Sequence, residues 1–246
     1  MDRKLTFVSG TNWTTRPTSA SEKLHAVVGA GPAGTALADR LIDDGHQVRV
    51  RTRSGRDTGI PGVVARAVNA ADAASLTAQV TGAAVIYNCA NPSAYRLWEQ
   101  QWPPLAALIL GAAELAEAVL VMVSNLYGHG QVTGPMTRQT PLRPCDHKGA
   151  LRARMWQNAV AAHEAGRSRV TEARASDYTG PTLPASSSLP AHYAQATLIG
   201  KTAAVFSNPD QSHTWTAISD VAAALAALGQ DQRAGGQPGS CHRVHP

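Results

Sequence analysis

The chain has 246 residues, of which 43% are hydrophobic and 16% are charged, and its formal net charge is +5 at pH 7. That length suits one large domain, or a domain with a small additional lobe. No apolar run approaches the roughly 20 residues that span a bilayer, and the arginines are scattered, so we expect neither a membrane nor a nucleic-acid partner. The spacing of Cys89, Cys145 and Cys241 fits no metal site or disulfide framework, which favours a reducing, cytoplasmic location.

A glycine-rich turn follows the first apolar strand, which ends at Val28. Its residues include Gly29, Gly31, Pro32, Ala33 and Gly34, in the pattern G-x-G-x-x-G. A helix-like run at 35–44 and a second strand at 47–52 come next. This order brings helix N-terminal amides against a pyrophosphate, and it predicts a dinucleotide site. The alternative is a glycine-rich turn without a ligand, which the complete strand–turn–helix–strand context disfavours.

The end of the second strand distinguishes between two cofactors. It reads Arg51, Thr52 and Arg53, and no carboxylate occurs before Asp57. An NAD site usually has Asp or Glu about twenty residues after the glycines, to bond the ribose 2′-hydroxyl. Guanidinium groups instead bind phosphate through paired donors, so these residues favour the 2′-phosphate of NADP, with NAD as the alternative cofactor. A solvated basic loop is the other interpretation.

Strands and helices alternate from residue 24 to about 176, which predicts an α/β fold with a doubly wound parallel Rossmann sheet. Further strands are predicted at 63–68, 83–90, 119–123 and 168–174, and helices at 70–80, 104–118 and 149–165. Ligands of such sheets bind beyond the carboxyl ends of the strands. Besides the glycine turn, that edge is expected to collect Asn88, Cys89, Ala90, Ser124 and Asp177.

The C-terminal third is less regular. Residues 178–212 are rich in proline and serine, and Ser219 with Asp220 suits the N-cap of a helix that runs to Leu228. We expect a small, truncated C-terminal substrate lobe. The expected division is an N-terminal extension at 1–23, a dinucleotide-binding domain at 24–177, a substrate lobe at 178–231 and a disordered tail at 232–246.

Several motifs occur together in a characteristic order. After the glycine turn they lie at 88–90, 124–128, 140–144, 174–181 and 216–222. In this order they resemble the extended and atypical branch of the short-chain dehydrogenase/reductase superfamily, the NAD-dependent epimerase/dehydratase-like proteins. The resemblance spans roughly residues 24–230. It adds Asn88, Cys89, Ala90 and Asp177 to the expected cofactor-binding residues.

The chain departs from that superfamily at its catalytic residues. Active members carry Y-x-x-x-K, and Lys148 and Arg152 stand at these two positions. The resemblance implies that Lys148 carries a proton, which requires its pKa to fall from about 10.4 toward neutrality, and that Arg152 holds the ribose. Alternatively, both are surface cations at a helix start. Val123 has the spacing of the family's serine, and Ser124, one residue later, can bond a substrate oxygen or satisfy a strand end. Tyr127 belongs to the family's Y-G pair and is not expected to be the catalytic tyrosine.

The resemblance implies NADP(H)-dependent redox or epimerase/dehydratase chemistry at a hydroxyl or carbonyl group of a small, sugar-like substrate. It leaves a homodimer open. No metal is expected, because His129, His147 and His163 lack metal-ligand spacing. The competing interpretation is a non-catalytic, NADP(H)-sensing regulatory protein of the NmrA-like kind, which an intact glycine motif without the tyrosine also suits.

Overall fold

The computed structural model describes residues 23–69, 72–92, 94–183, 188–204, 208, 210, 212–236 and 238–240. Almost all of the predicted N-terminal extension, and residues 241–246 of the predicted tail, lie outside these ranges. The strands are β1 Leu24–Val28, β2 Gln47–Thr52, β3 Val63–Ala67, β4 Val85–Asn88, β5 Val119–Asn125, β6 Val170–Ala175, β7 Asp177–Thr179, β8 Trp215–Ala217 and β9 Pro238–Ser240. The α-helices are α1 Pro32–Asp43, α2 Ala73–Val80, α3 Trp98–Leu115, α4 His147–Glu164, α5 Leu189–Leu198 and α6 Ile218–Gln230.

A parallel sheet of seven strands forms the centre of the molecule, in the order β3-β2-β1-β4-β5-β6-β9. The order reverses between β1 and β4, so the crevice of a doubly wound sheet opens above the carboxyl ends of these two strands. The predicted fold class is therefore confirmed. The six strands expected between residues 24 and 176 are all present, with bounds within a few residues of those predicted.

Helices cover both faces of this sheet. On one face, Val48 and Val50 of β2 pack with Leu37 of α1, and α1 contacts α6. On the other face, Ile86 of β4 packs with Trp102 of α3, which lies between α2 and α4. Apolar residues alternate along β2, so its remaining side chains point toward the α2 side. None of the described helices combines the length and apolarity needed to cross a bilayer.

Two helix starts differ from the sequence prediction. Helix α6 has Ala217 as its N-cap, without a side-chain hydrogen bond, so Ser219 and Asp220 lie inside its first turn. The prediction was wrong because β8 runs directly into α6 with no loop to need a capping side chain. Helix α3 begins at Trp98, before the predicted start at Pro104, and therefore contains Pro103 and Pro104 in its interior. A short 3₁₀ turn at Tyr95–Leu97 leads into this earlier start.

Short strands lie where the sequence indicates irregular chain. β7 and β8 pair in parallel as a separate two-stranded sheet, which places Asp177 opposite Trp215. β9 adds to the edge of the main sheet beside β6, although residues 232–246 were expected to lack structure. Backbone pairing explains this difference, since Pro238–Ser240 needs no apolar period to bond an open strand edge.

Candidate functional site

The glycine turn, residues 29–34, has three glycines with different surroundings. Gly29 has a φ of 104°, and an added Cβ would lie 2.6 Å from the Ala90 nitrogen. A Cβ at Gly34 would overlap the Gly29 carbonyl oxygen. At Gly31, in contrast, nothing among the described residues beyond its neighbours in the chain lies within 4 Å of an added Cβ. Gly29 and Gly34 therefore permit close packing, whereas Gly31 borders open space.

Helix α1 begins in this turn with its amides directed at that open space. Gly31 is the N-cap, so no capping side chain accepts from the first amides of the helix. Pro32 follows it, and no acidic residue lies in the first turn. The first amide groups of a helix have no partner within the helix, and they carry its positive dipole end. The arrangement suits an anion that approaches Gly31. Pro32, Ala33 and Gly34 form the first turn of α1 beside the same space.

The segment after β4 forms the wall opposite the turn. Asn88 ends β4, and Cys89 donates its amide proton to the Val28 carbonyl oxygen at 2.9 Å. Burial raises the pKa of the Cys89 thiol to about 12, so the thiol stays neutral and packs as an apolar group. The side-chain oxygen of Asn88 is buried and has no partner among the described residues. A buried acceptor of this kind needs a donor from elsewhere.

Arg51 does not lie where the sequence suggested. Its side chain is 3% exposed, and its Nη1 donates to the carbonyl oxygens of Val50 and Val64 at 2.9 and 3.0 Å. Its Nε donates to the Gln79 carbonyl oxygen at 3.3 Å, near the end of α2. The physical reason is the alternation in β2, which sends Val50 to the α1 face and Arg51 to the α2 face. These contacts give no support to the prediction that Arg51 binds a 2′-phosphate.

Thr52 and Arg53 do lie at the carboxyl end of β2. Thr52 Oγ1 accepts a hydrogen bond from the Gly55 amide at 2.9 Å, which closes a tight turn. Gly55 has a φ of 65°, and an added Cβ would overlap Ala67. Arg53 is exposed on this turn. Within the described part of the chain, its guanidinium forms none of the hydrogen bonds or ion pairs found.

The expected catalytic residues lie around the start of α4, where Asp146 caps the helix by accepting from the Gly149 amide at 2.7 Å. Lys148 Nζ lies 4.3 Å from the centroid of the Tyr95 ring. Ser124 is buried at the end of β5. These positions bring Lys148 to an aromatic ring that the sequence did not single out.

Arg152, one turn further along α4, lies over two indole rings. Its guanidinium carbon is 5.0 Å from the Trp98 ring centroid and 4.6 Å from that of Trp102. Its Nη1 donates to the Val123 carbonyl oxygen at 3.5 Å, and its Nε is buried without a partner among the described residues. Burial lowers the pKa of Arg152, which nevertheless stays charged at neutral pH.

Two tyrosines complete a cluster with these cations. The hydroxyl groups of Tyr95 and Tyr127 lie 3.1 Å apart. Burial and this hydrogen bond raise the pKa of Tyr127, so its phenol is protonated at neutral pH. We call Tyr95, Tyr127, Lys148 and Arg152 the tyrosine–cation cluster. Sequence reasoning missed Tyr95, which precedes α3 and has no motif around it.

Asp177 has a partner that the sequence did not indicate. Its carboxylate lies 2.9 Å from Nε2 of His213, and both side chains are about half exposed. The His213 ring leans on Trp215, with centroids 4.4 Å apart. The pair forms because β7 and β8 run side by side, which no local sequence pattern predicts.

Comparisons with known proteins agree with this geometry. The model of the NAD dependent epimerase/dehydratase family matches residues 26–241. The fold is similar to that of dTDP-glucose 4,6-dehydratase from Bacillus anthracis in complex with NAD, with TM-score 0.77 and 17% identity over 89% of this chain and 74% of that one. It is also similar to Thermus thermophilus UDP-glucose 4-epimerase in complex with NAD, with TM-score 0.73 and 16% identity over 90% of this chain and 78% of that one.

A third similar structure is UDP-N-acetylglucosamine 4-epimerase from Methanobrevibacter ruminantium, in complex with UDP-N-acetylmuramic acid. Its TM-score is 0.73, with 16% identity over 85% of this chain and 73% of that one. No curated protein sequence matches this chain. At these identities the three structures show a similar fold and nothing further about this chain.

Proposed function

The chain belongs to the NAD-dependent epimerase/dehydratase family, and on that basis we propose that it binds NADP(H) and acts on a hydroxyl or carbonyl group of a small, sugar-like substrate. The observation that carries this proposal is the open space at Gly31, bordered by the uncapped start of α1. The unpartnered oxygen of Asn88 on the opposite wall supports it, because a ribose hydroxyl would supply the missing donor.

The residues present fit a dinucleotide in stated roles. The amides of Gly31, Ala33 and Gly34 would hold the pyrophosphate at the start of α1. Arg53, exposed beside Thr52, would hold the 2′-phosphate. Arg51 is less suited to this role, because its donors already bond backbone carbonyl groups. When bound, the nicotinamide supplies hydride transfer.

The tyrosine–cation cluster would serve the substrate half of the crevice. Arg152 would orient a ribose hydroxyl through its unpartnered Nε, while the two indole rings keep its guanidinium in place. Lys148 or Ser124 would hold the proton that moves at the substrate oxygen. Lys148 is preferred for this role because its Nζ lies at the cluster over the Tyr95 ring, whereas Ser124 is buried at the end of β5.

The names of the similar structures guide the choice of substrates to test. They are named as enzymes of UDP- and dTDP-linked sugars, in which a sugar is joined to a nucleoside diphosphate. We therefore propose a sugar-like substrate for this chain, held between the tyrosine–cation cluster and Asp177.

A second candidate function rests on the replaced catalytic residues. Lys148, Arg152 and Val123 stand where active members of the superfamily have tyrosine, lysine and serine. Such a site with an intact glycine turn also suits a protein that senses NADP(H) without turnover. Fold similarity does not distinguish a sensor from an enzyme.

One experiment separates the two. Calorimetry would measure NADPH binding, and absorbance at the nicotinamide band would follow net redox turnover of aldehydes and ketones. Chromatography of the products would follow turnover of UDP-sugars and dTDP-sugars, because an epimerase or dehydratase returns its nicotinamide to the starting oxidation state. For the enzyme, we expect binding together with turnover that Lys148→Gln reduces by at least about a hundredfold. Binding without turnover on any of these substrates favours the sensor, and absence of NADPH binding contradicts both.

A further inference from the structure

A cavity separate from the glycine turn lies at the sheet edge formed by β2 and β3. Its volume is about 630 Å³, which is within the range of small-molecule sites. Arg49 and Arg51 of β2 and Arg66 of β3 line it. They share one side of the sheet, because Arg49 and Arg51 are two residues apart and Arg66 is the register partner of Arg51.

Backbone carbonyl groups hold two of these guanidinium groups in position. Arg51 donates to the carbonyl oxygens of Gln79 and Val64 at 3.3 and 3.0 Å. Arg49 donates to the carbonyl oxygen of Thr81, at the C-cap of α2, at 3.2 Å. The end of a helix attracts cations, but carbonyl groups are dipoles without net charge, and they leave the positive charges of the arginines uncancelled.

No carboxylate balances this charge within the described part of the chain. The cavity lining there contains no aspartate or glutamate. Arg49, Arg51 and Arg66 also form none of the ion pairs found there. Burial, together with the charges of Arg49 and Arg66, lowers the pKa of Arg51 to about 10. Arg51 is buried, and buried charges are almost always paired in proteins, so an anion in this cavity would offset its charge.

We propose that this cavity binds the phosphate group of a small ligand, and that Arg49, Arg51 and Arg66 supply its counter-charge. Arg49 and Arg66 would supply the donors, because guanidinium groups pair with phosphate oxygens through parallel donors, and Arg51, whose donors contact backbone carbonyl groups, would supply charge. Leu24 and Ile42 also line the cavity and offer apolar surface to an organic body attached to the phosphate. Inorganic phosphate and a phosphate monoester share the recognised group, and the two are distinguished by experiment.

The test is calorimetric titration of inorganic phosphate and phenyl phosphate into the full chain at matched ionic strength. We expect at least one probe to bind, and Arg49→Ala combined with Arg66→Ala to weaken it at least about tenfold. Tighter binding of phenyl phosphate would assign an organic ligand, and equal affinities would assign inorganic phosphate. The single variant Arg66→Ala removes only an exposed side chain and should already weaken binding severalfold, so the test holds even if the double variant does not fold.

Two control variants exclude the glycine turn as the phosphate site. Gly31→Val fills the open space there, and Arg53→Ala removes an exposed arginine outside the cavity lining. Both should keep the binding event that the Arg49 and Arg66 variants weaken, whether or not the glycine turn binds a second phosphate. The proposal is overturned if neither probe binds the unmutated protein at millimolar concentration. It is equally overturned if Gly31→Val abolishes binding while the Arg49 and Arg66 variants retain it.

Discussion

The two halves of the crevice are built in different ways. The glycine turn is defined by backbone, since Gly29 and Gly34 admit no side chain and Gly31 borders open space. The tyrosine–cation cluster is defined by side chains from three segments, which are the turn before α3, the turn after β5 and the start of α4. We call these the proposed nucleotide half, which is determined by backbone packing, and the proposed substrate half, which depends on particular side chains.

The largest effect expected is on the glycine turn, where two substitutions separate binding from folding. Gly31→Val should fold normally and lose NADPH binding by at least about 3 kcal/mol, because its side chain occupies the space of the pyrophosphate. Gly34→Val should instead destabilise the fold by about 1–3 kcal/mol or more, since its Cβ overlaps the Gly29 carbonyl oxygen. Calorimetry and chemical unfolding would measure the two effects. A folded Gly31→Val that still binds NADPH would show that the cofactor lies elsewhere.

A comparison of two arginines sharpens the boundary of the nucleotide half. Arg53→Ala should weaken NADPH binding by about 1.5–3 kcal/mol and leave NADH binding unchanged, because a charge-assisted phosphate contact is lost. Arg51→Met should change NADPH affinity by less than about 0.5 kcal/mol, because backbone carbonyl groups already engage its donors. The assignment fails if Arg51→Met has the larger effect on NADPH affinity in calorimetry.

The amino ends of the central strands lie opposite the crevice and provide a reference region for these variants. His25 is buried there, its Nδ1 lies 3.0 Å from the Tyr87 hydroxyl, and burial followed by the charge of His46 lowers its pKa to about 3. The unfolded chain, with a histidine pKa near 6.5, therefore binds more protons. The resulting stability is fully present above about pH 6.5 and decreases as the pH falls toward 3.

We expect the free energy of unfolding to be about 2 kcal/mol lower at pH 5 than at pH 7 through His25 alone. His46, whose pKa burial also lowers, adds to the same trend. Chemical unfolding at the two pH values would measure the difference, and His25→Gln should flatten it. Crevice variants such as Gly31→Val should keep the full pH dependence. An unchanged slope in His25→Gln would contradict this assignment.

The smallest effects are expected in the substrate half. Tyr95→Phe removes a hydroxyl contact, and Lys148→Gln removes a cation over an aromatic ring, so each should change the free energy of unfolding by about 0.5–1 kcal/mol. Neither should alter NADPH affinity, because both residues lie outside the glycine turn. If Lys148→Gln abolished NADPH binding in calorimetry, the division of the crevice into two halves would be wrong.

The sequence predicted the first six strands of the main sheet because apolar or alternating segments of strand length are separated by helices. β7, β8 and β9 have three residues each, and strands of that length show no periodicity. The two residue pairs that the sequence missed, Tyr95 with Tyr127 and Asp177 with His213, are 32 and 36 positions apart. Their contacts depend on how distant segments pair, which no local pattern contains.

Arg51 is a different case, because its position could have been predicted. Residues 48–51 alternate valine and arginine, and the valines face α1. The period of two then directs the side chains of Arg49 and Arg51 to the opposite face of the sheet. Binding of a 2′-phosphate by Arg51 stays a prediction that these contacts do not support.

Titration of NADPH and NADH into the unmutated protein is the most direct measurement of the nucleotide half. We expect NADPH to bind at least about tenfold more tightly than NADH, because Arg53 stands where an NAD site has a carboxylate. Equal affinities would contradict the assignment of Arg53, and absence of binding by both nucleotides would contradict a dinucleotide site at Gly31.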